Sequence, residues 1–145
     1  MALLTDDVVS QLKTEFQALK DPVRLAVAFQ TLQDPESEDV KRLVEEVAVL
    51  DPKLSVEPLN FILDTERVTA LGLHRTPAIA VLGGATGETD YGIRMYGMPA
   101  GYEFGSLIDA ILLVSSGSSG LGDETKTALA GLVRPVHVQV FSTPT

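Results

Sequence analysis

The 145-residue sequence contains no cysteine. That absence removes disulfides, thiolate metal sites and all thiol chemistry from the chain itself. It has no tryptophan and few aromatic residues, and its basic residues are outnumbered, eleven against twenty acidic, for a formal charge of -9. A chain so charged is repelled by nucleic acid and by anionic membranes unless a local basic patch offsets it, and the Lys and Arg are scattered. Its apolar runs are too short to span a bilayer. Met1-Ala2-Leu3-Leu4 leads into acidic residues rather than a basic region and a long apolar stretch, so no secretory leader is read and a cytoplasmic location is the default expectation. What the chain does have is 45% apolar residues, enough for one domain with a real core and a short further piece.

The apolar spacing sets out the elements in order. Thr5-Asp6-Asp7 offers a hydroxyl cap and two carboxylates to a first helix running to about Lys20, with Val8, Leu12, Phe16 and Leu19 at helical spacing. Asp21-Pro22 breaks it, and Val23-Arg24-Leu25-Ala26-Val27-Ala28-Phe29 reads as a strand. Asp34-Pro35-Glu36-Ser37 opens a second helix with Asp34 or Ser37 as cap, and Val40, Leu43, Val44 and Val47 form its apolar face to near Leu50. A second strand, 54–62, contains Pro58, which belongs on an edge or at a bulge. Asp64-Thr65-Glu66 caps a short third helix.

Thr76-Pro77 then precedes the apolar strand 78–82. Proline lacks an N–H and drives its predecessor out of helical space, so this step reads as a deliberate turn at the head of a strand. Gly83-Gly84-Ala85-Thr86-Gly87 makes a hairpin loop to a returning strand, 91–96. Phe104, Leu107, Ile108, Ile111 and Leu112 form a helical stripe. Residues 115–120 read as a linker, 123–132 as a modest helix, and Val136, Val138 and Val140 alternate with His137 and Gln139 as in a half-buried strand. Alternating strands and crossover helices, then a hairpin, predict a thioredoxin-like α/β fold: a mixed sheet with a parallel βαβ half and an antiparallel hairpin, helices on both faces and an extra N-terminal helix.

With that order in place, Tyr96-Gly97-Met98-Pro99-Ala100-Gly101-Tyr102-Glu103-Phe104, the connector 114–121 and the stretch from Pro135 to the end resemble the N-terminal half of the protein disulfide oxidoreductases. These glutaredoxin-like proteins are built from two tandem thioredoxin-like units. The chain is similar too to the N-terminal domain of the alkyl hydroperoxide reductase flavoprotein, whose first unit lacks its cysteines. The resemblance implies a thioredoxin-like domain over 1–115, a connector and helix over 116–133, and over 134–145 the first strand of a second unit that would bear the Cys-x-x-Cys. Aligned back from Lys41-Arg42-Leu43-Val44, Asp34 takes the position of the nucleophilic cysteine and Ser37 that of the resolving one, with Pro35 and Glu36 between. Neither can form a disulfide. Thr76-Pro77 takes the place of the family's cis-proline loop, in which the residue before proline offers its backbone to an extended substrate.

Other chemistry competes with this reading at several residues. Ser37 with His74 and a carboxylate invites a hydrolytic role, but no nucleophile elbow or oxyanion motif accompanies them, and capping and surface placement explain both. Asp34, Glu36, Glu38 and Asp39 suit a helix dipole better than a metal. The glycine run lacks the Lys-Ser/Thr of a phosphate cradle. Met95, Tyr96, Met98 and Tyr102 fit core and turn packing, with a docking surface as the rival account.

The expected function is a redox-silent unit of a thiol–disulfide oxidoreductase that carries no catalytic residue, metal or cofactor. It would act as scaffold or docking surface for the cysteine-bearing unit or a protein substrate, or, as the alternative, as a non-catalytic peptide-binding module. Strand 136–141, without the second unit to cover it, is expected to fold back on its own domain, pair with a second copy to give a dimer, or be mobile.

Overall fold

Two runs rich in valine, alanine and leucine become the centre of the molecule, because strands covered on both faces need apolar side chains at nearly every position. In the computed structural model, which describes residues 1–143, these are β1 (Val23–Phe29) and β3 (Ala78–Gly83). Around them lie α1 (Asp6–Glu15), a 3-10 turn (Phe16–Ala18), α2 (Pro35–Ala48), β2 (Leu54–Asn60), α3 (Thr65–Ala70), β4 (Thr89–Tyr96), α4 (Tyr102–Ser116) and α5 (Asp123–Ala130). The sheet order is β2-β1-β3-β4. β1 and β2 are parallel, and β3 is antiparallel to both β1 and β4.

Side-chain alternation along the strands divides the core in two. Val23, Leu25, Val27, Ile79 and Val81 point to the face covered by α1, α2 and α4, where they meet Leu12, Phe16, Val40, Val44, Val47, Leu107 and Ile111. Ala26, Ala28, Ala78 and Ala80 point the other way, under the short α3, with Leu59, Val68, Leu71 and Leu73. Small residues on that face let a one-and-a-half-turn helix close over the sheet. Each fully buried valine or leucine contributes about 1.5–3 kcal/mol by removal from water, so the larger face supplies most of the stability. This is the thioredoxin-like α/β architecture that the element order predicts, with helices on both faces. Pro58 stands in β2, an edge strand, opposite Val27.

The structure corrects four local expectations. The first helix ends at Glu15 and tightens into the 3-10 turn, because Lys20 N–H donates to Ser115 Oγ and Asp21 N–H to Ser115 O. Ser115 is thus the fully buried end of α4 rather than the start of a linker. Asp64 does not cap α3 with its side chain; its carboxylate accepts from Asn60 N–H instead. Residues 136–141 form no strand. Val138 and Phe141 are 79% and 83% exposed, since a strand needs a neighbour for its backbone donors and acceptors and no ladder among the described residues includes this stretch. Pro144 and Thr145, the end of the stretch expected to begin a second unit, lie outside the described residues.

Candidate functional site

The sheet brings two distant segments together. β1 feeds the loop into α2, and its antiparallel partner β3 begins where β1 ends, with Ala28 opposite Ala78. The two residues before β3, Thr76 and Pro77, therefore lie against the first turn of α2. The Thr76–Pro77 peptide bond is cis. Pro77 O accepts from Gly97 N–H at 3.0 Å, and Gly97 has φ +86, a conformation that a side chain would oppose. β3 starts only at Ala78, so Thr76 stands outside the ladder.

Asp34 is the N-cap of α2, and Pro35 occupies the first helical position, where a missing N–H costs nothing. Asp34 Oδ1 accepts from Ser37 N–H at 3.2 Å, while Oδ2 accepts from the Ser37 hydroxyl and, at 2.6 Å, from Thr76 Oγ1. Ser37 is completely buried, Asp34 half-buried, Pro35 and Glu36 exposed. Burial opposes the Asp34 charge, but the bonds from the Ser37 hydroxyl, Thr76 and Ser37 N–H outweigh it and hold the carboxyl below its ordinary value of 3.8. The residue leading in, Gln33, takes φ +67, a left-handed conformation that costs a non-glycine residue about 1–2 kcal/mol. The positions that the resemblance assigns to two cysteines are thus occupied by a hydrogen-bonded carboxylate and hydroxyl. This pair can accept and donate hydrogen bonds but cannot exchange electrons.

The sequence places Asp34, Ser37, Thr76 and Pro77 in one site, and the structure brings them together. It separates Ser37 from His74. The Ser37 hydroxyl is committed to Asp34, and His74 Nδ1 lies 3.1 Å from the Tyr96 hydroxyl, with the ring centroids 4.8 Å apart and the planes tilted by 42°. Met95 and Met98 pack against the core, while Tyr102 is exposed. Two features escape the sequence: the Thr76 side chain as partner of Asp34, and Arg75, whose guanidinium lies 4.7 Å above the Tyr96 ring. The hairpin register that pairs Tyr96 with Ala78 is the available signal for the second.

No protein-family model matches the chain. Among curated proteins it is 35% identical over 113 residues to the NADH dehydrogenase of Ferdinandcohnia aciditolerans, covering 78% of this chain and 18% of that protein. With the alkyl hydroperoxide reductase AhpF of Staphylococcus epidermidis it shares 27% identity over 139 residues, 96% of this chain and 24% of that one. The chain therefore spans about a fifth of the length of these relatives. Among solved structures, the N-terminal domain of alkyl hydroperoxide reductase AhpF from Enterococcus faecalis superposes with a TM-score of 0.75 at 25% identity, covering 86% of this chain and 58% of that one. A protein disulfide oxidoreductase from Aeropyrum pernix gives 0.79 at 27% identity, covering 91% and 56%. Fold and likeness together define a thioredoxin-like domain of the thiol–disulfide oxidoreductase type. More particularly, the chain is related to the N-terminal domain of alkyl hydroperoxide reductase AhpF.

Proposed function

We propose that this chain is a redox-silent thioredoxin-like unit that serves as scaffold and docking surface within a thiol–disulfide oxidoreductase whose reactive cysteines lie in another unit. The observation that carries this reading is the occupation of the α2 start by Asp34 and Ser37, both hydrogen-bonded, in a sequence without cysteine. The parent protein would perform thiol–disulfide exchange, a reading supported by the alkyl hydroperoxide reductase and protein disulfide oxidoreductase among its relatives and by the small share of the curated relatives' length that this chain spans. Its natural partner is a second thioredoxin-like unit, which residues 134–145 would begin. The test is reduction of insulin disulfides driven by dithiothreitol. This chain should give no rate above dithiothreitol alone, and a rate above it would overturn the assignment.

A second property of the same unit is capture of an extended segment beside Thr76 and Pro77. Thr76 lies outside the β3 ladder, and the loops on the same end of the sheet expose apolar side chains. Leu32 in the loop before α2 is 78% exposed and Leu63 after β2 is 79% exposed, and Phe61 N–H to Phe29 O ties the second loop to the end of β1. Extended peptides bind such places by main-chain hydrogen bonds, with neighbouring side chains giving specificity. Titration with a β-prone peptide should shift the amide resonances of residues 34–37 and 75–78. No movement there leaves a scaffold without a capture site.

A further inference from the structure

The arginines of the folded body are accounted for by carboxylates, with one exception. Arg24 pairs with Glu88, Arg42 with Asp39, Arg67 with Glu57 at 2.8 Å and 3.0 Å, and Arg94 with Asp90 at 2.9 Å. Arg75 meets no carboxylate among the described residues, in a chain with nearly two acidic residues for each basic one. It is exposed, and it directly precedes Thr76. Its guanidinium is nevertheless not loose. It lies 4.7 Å from the centroid of the Tyr96 ring, and that ring is itself braced by His74 through the 3.1 Å contact between the tyrosine hydroxyl and Nδ1.

A guanidinium held over an aromatic face by cation–π attraction keeps N–H donors available for a carboxylate, which its planar fork can grip with two parallel bonds. Holding the group on an aromatic platform also removes part of the ordering cost that a free arginine side chain would meet on binding. We infer that Arg75, held over the Tyr96 ring, is an acid-recognition point for the segment bound beside Thr76, so that the preferred partner is an extended peptide with a glutamate or aspartate in register with residue 75. The inference rests on the strand-capture reading of the site. Asp34 remains charged but turns its carboxylate to Ser37 and Thr76, and among the described residues it forms no ion pair with Arg75. The overall negative charge is screened beyond about 8 Å at physiological ionic strength, whereas a carboxylate in contact with Arg75 is not.

Three sets of capped, β-prone heptapeptides test this, alike except for glutamate, glutamine or lysine placed at each of three successive central positions. Binding is read from the amide shifts of residues 75–78. The best glutamate peptide should bind about five- to tenfold more tightly than its glutamine counterpart, and lysine more weakly than both. The preference should vanish in Arg75→Gln, fall to an intermediate value in Arg75→Lys, which keeps the charge but not the planar fork, and shrink as salt is raised. Equal affinity for glutamate and glutamine peptides, or a preference that survives Arg75→Gln, overturns the inference while leaving strand capture standing. If no peptide moves these resonances, strand capture and acid recognition fall together.

Discussion

Thr76 Oγ1 donates a 2.6 Å hydrogen bond to Asp34 Oδ2 and so joins residues 42 positions apart. Asp34 also caps α2 through Ser37 N–H and accepts the hydroxyl of Ser37, a fully buried side chain. Asp34→Ala removes the cap and leaves a buried hydroxyl without its acceptor, and each loss costs about 1 kcal/mol or more. Urea denaturation should therefore give a loss of about 2 kcal/mol. Asp34→Asn keeps an oxygen acceptor and should lose less than half of that.

The same carboxylate makes stability depend on acid. Hydrogen bonds from Ser37 and Thr76 outweigh burial and hold Asp34 below 3.8. The bond from Arg67 holds Glu57 below 4.5, and the bond from Arg94 holds Asp90 below 3.8. Each depressed group binds its proton less readily in the folded chain than in the unfolded one. Its contribution is present in full above those ordinary values and is lost as pH falls through the depressed ones. Urea midpoints should fall as pH drops below about 4.5. The gap between the native chain and Asp34→Asn should narrow over the same range, and a gap constant down to about pH 2 would show that the Asp34 hydrogen bonds do not favour its charged form.

Much of this site was legible in the sequence because its signals are local. Asp34-Pro35-Glu36 announces a helix start through cap, fixed φ and dipole, and Thr76-Pro77 marks the head of a strand. What escaped depends on distant partners. Ser115 reads as linker in a run of serine and glycine, yet it holds Lys20 and Asp21 across more than ninety residues and so ends the first helix early. Alternation over 136–141 tells which side chains would share a face, but a strand forms only beside another strand. The contact of Arg75 with Tyr96 follows from hairpin register, which the Gly83-to-Gly87 loop leaves open until the Ala80/Leu82 irregularity is placed.

Gly83 ends β3 under the last turns of α4. A Cβ at this position would lie 2.2 Å from Val114 Cγ1 and 3.2 Å from Val114 O. Valine is stiff at χ1 and cannot swing clear, and the carbonyl belongs to helix backbone. Gly83→Ala should therefore cost about 1–3 kcal/mol, a typical overpacking penalty. Pairing it with Val114→Ala should recover only part of the loss, because the carbonyl contact remains, and thermal unfolding of the single and double variants measures the difference.

The strongest check on the redox-silent reading is to put sulfur where the fold would use it. Positions 34 and 37 are the N-cap and the third residue of α2, where free N–H groups and the helix dipole favour a thiolate. The Asp34→Cys/Ser37→Cys variant also removes the carboxylate and hydroxyl that fill the site, so it should be less stable when reduced, by about the 2 kcal/mol expected for Asp34→Ala. On oxidation it should close an internal disulfide, seen as two titratable thiols before treatment and none after, with no change in mass consistent with a dimer. The more exposed sulfur at position 34 should react with iodoacetamide below about pH 7, well under the ordinary cysteine value of about 8.5. If both thiols stay free under a glutathione redox buffer, α2 and the Thr76–Pro77 loop do not retain the geometry of a disulfide site, and the reading of positions 34 and 37 as those of the two cysteines loses its physical basis.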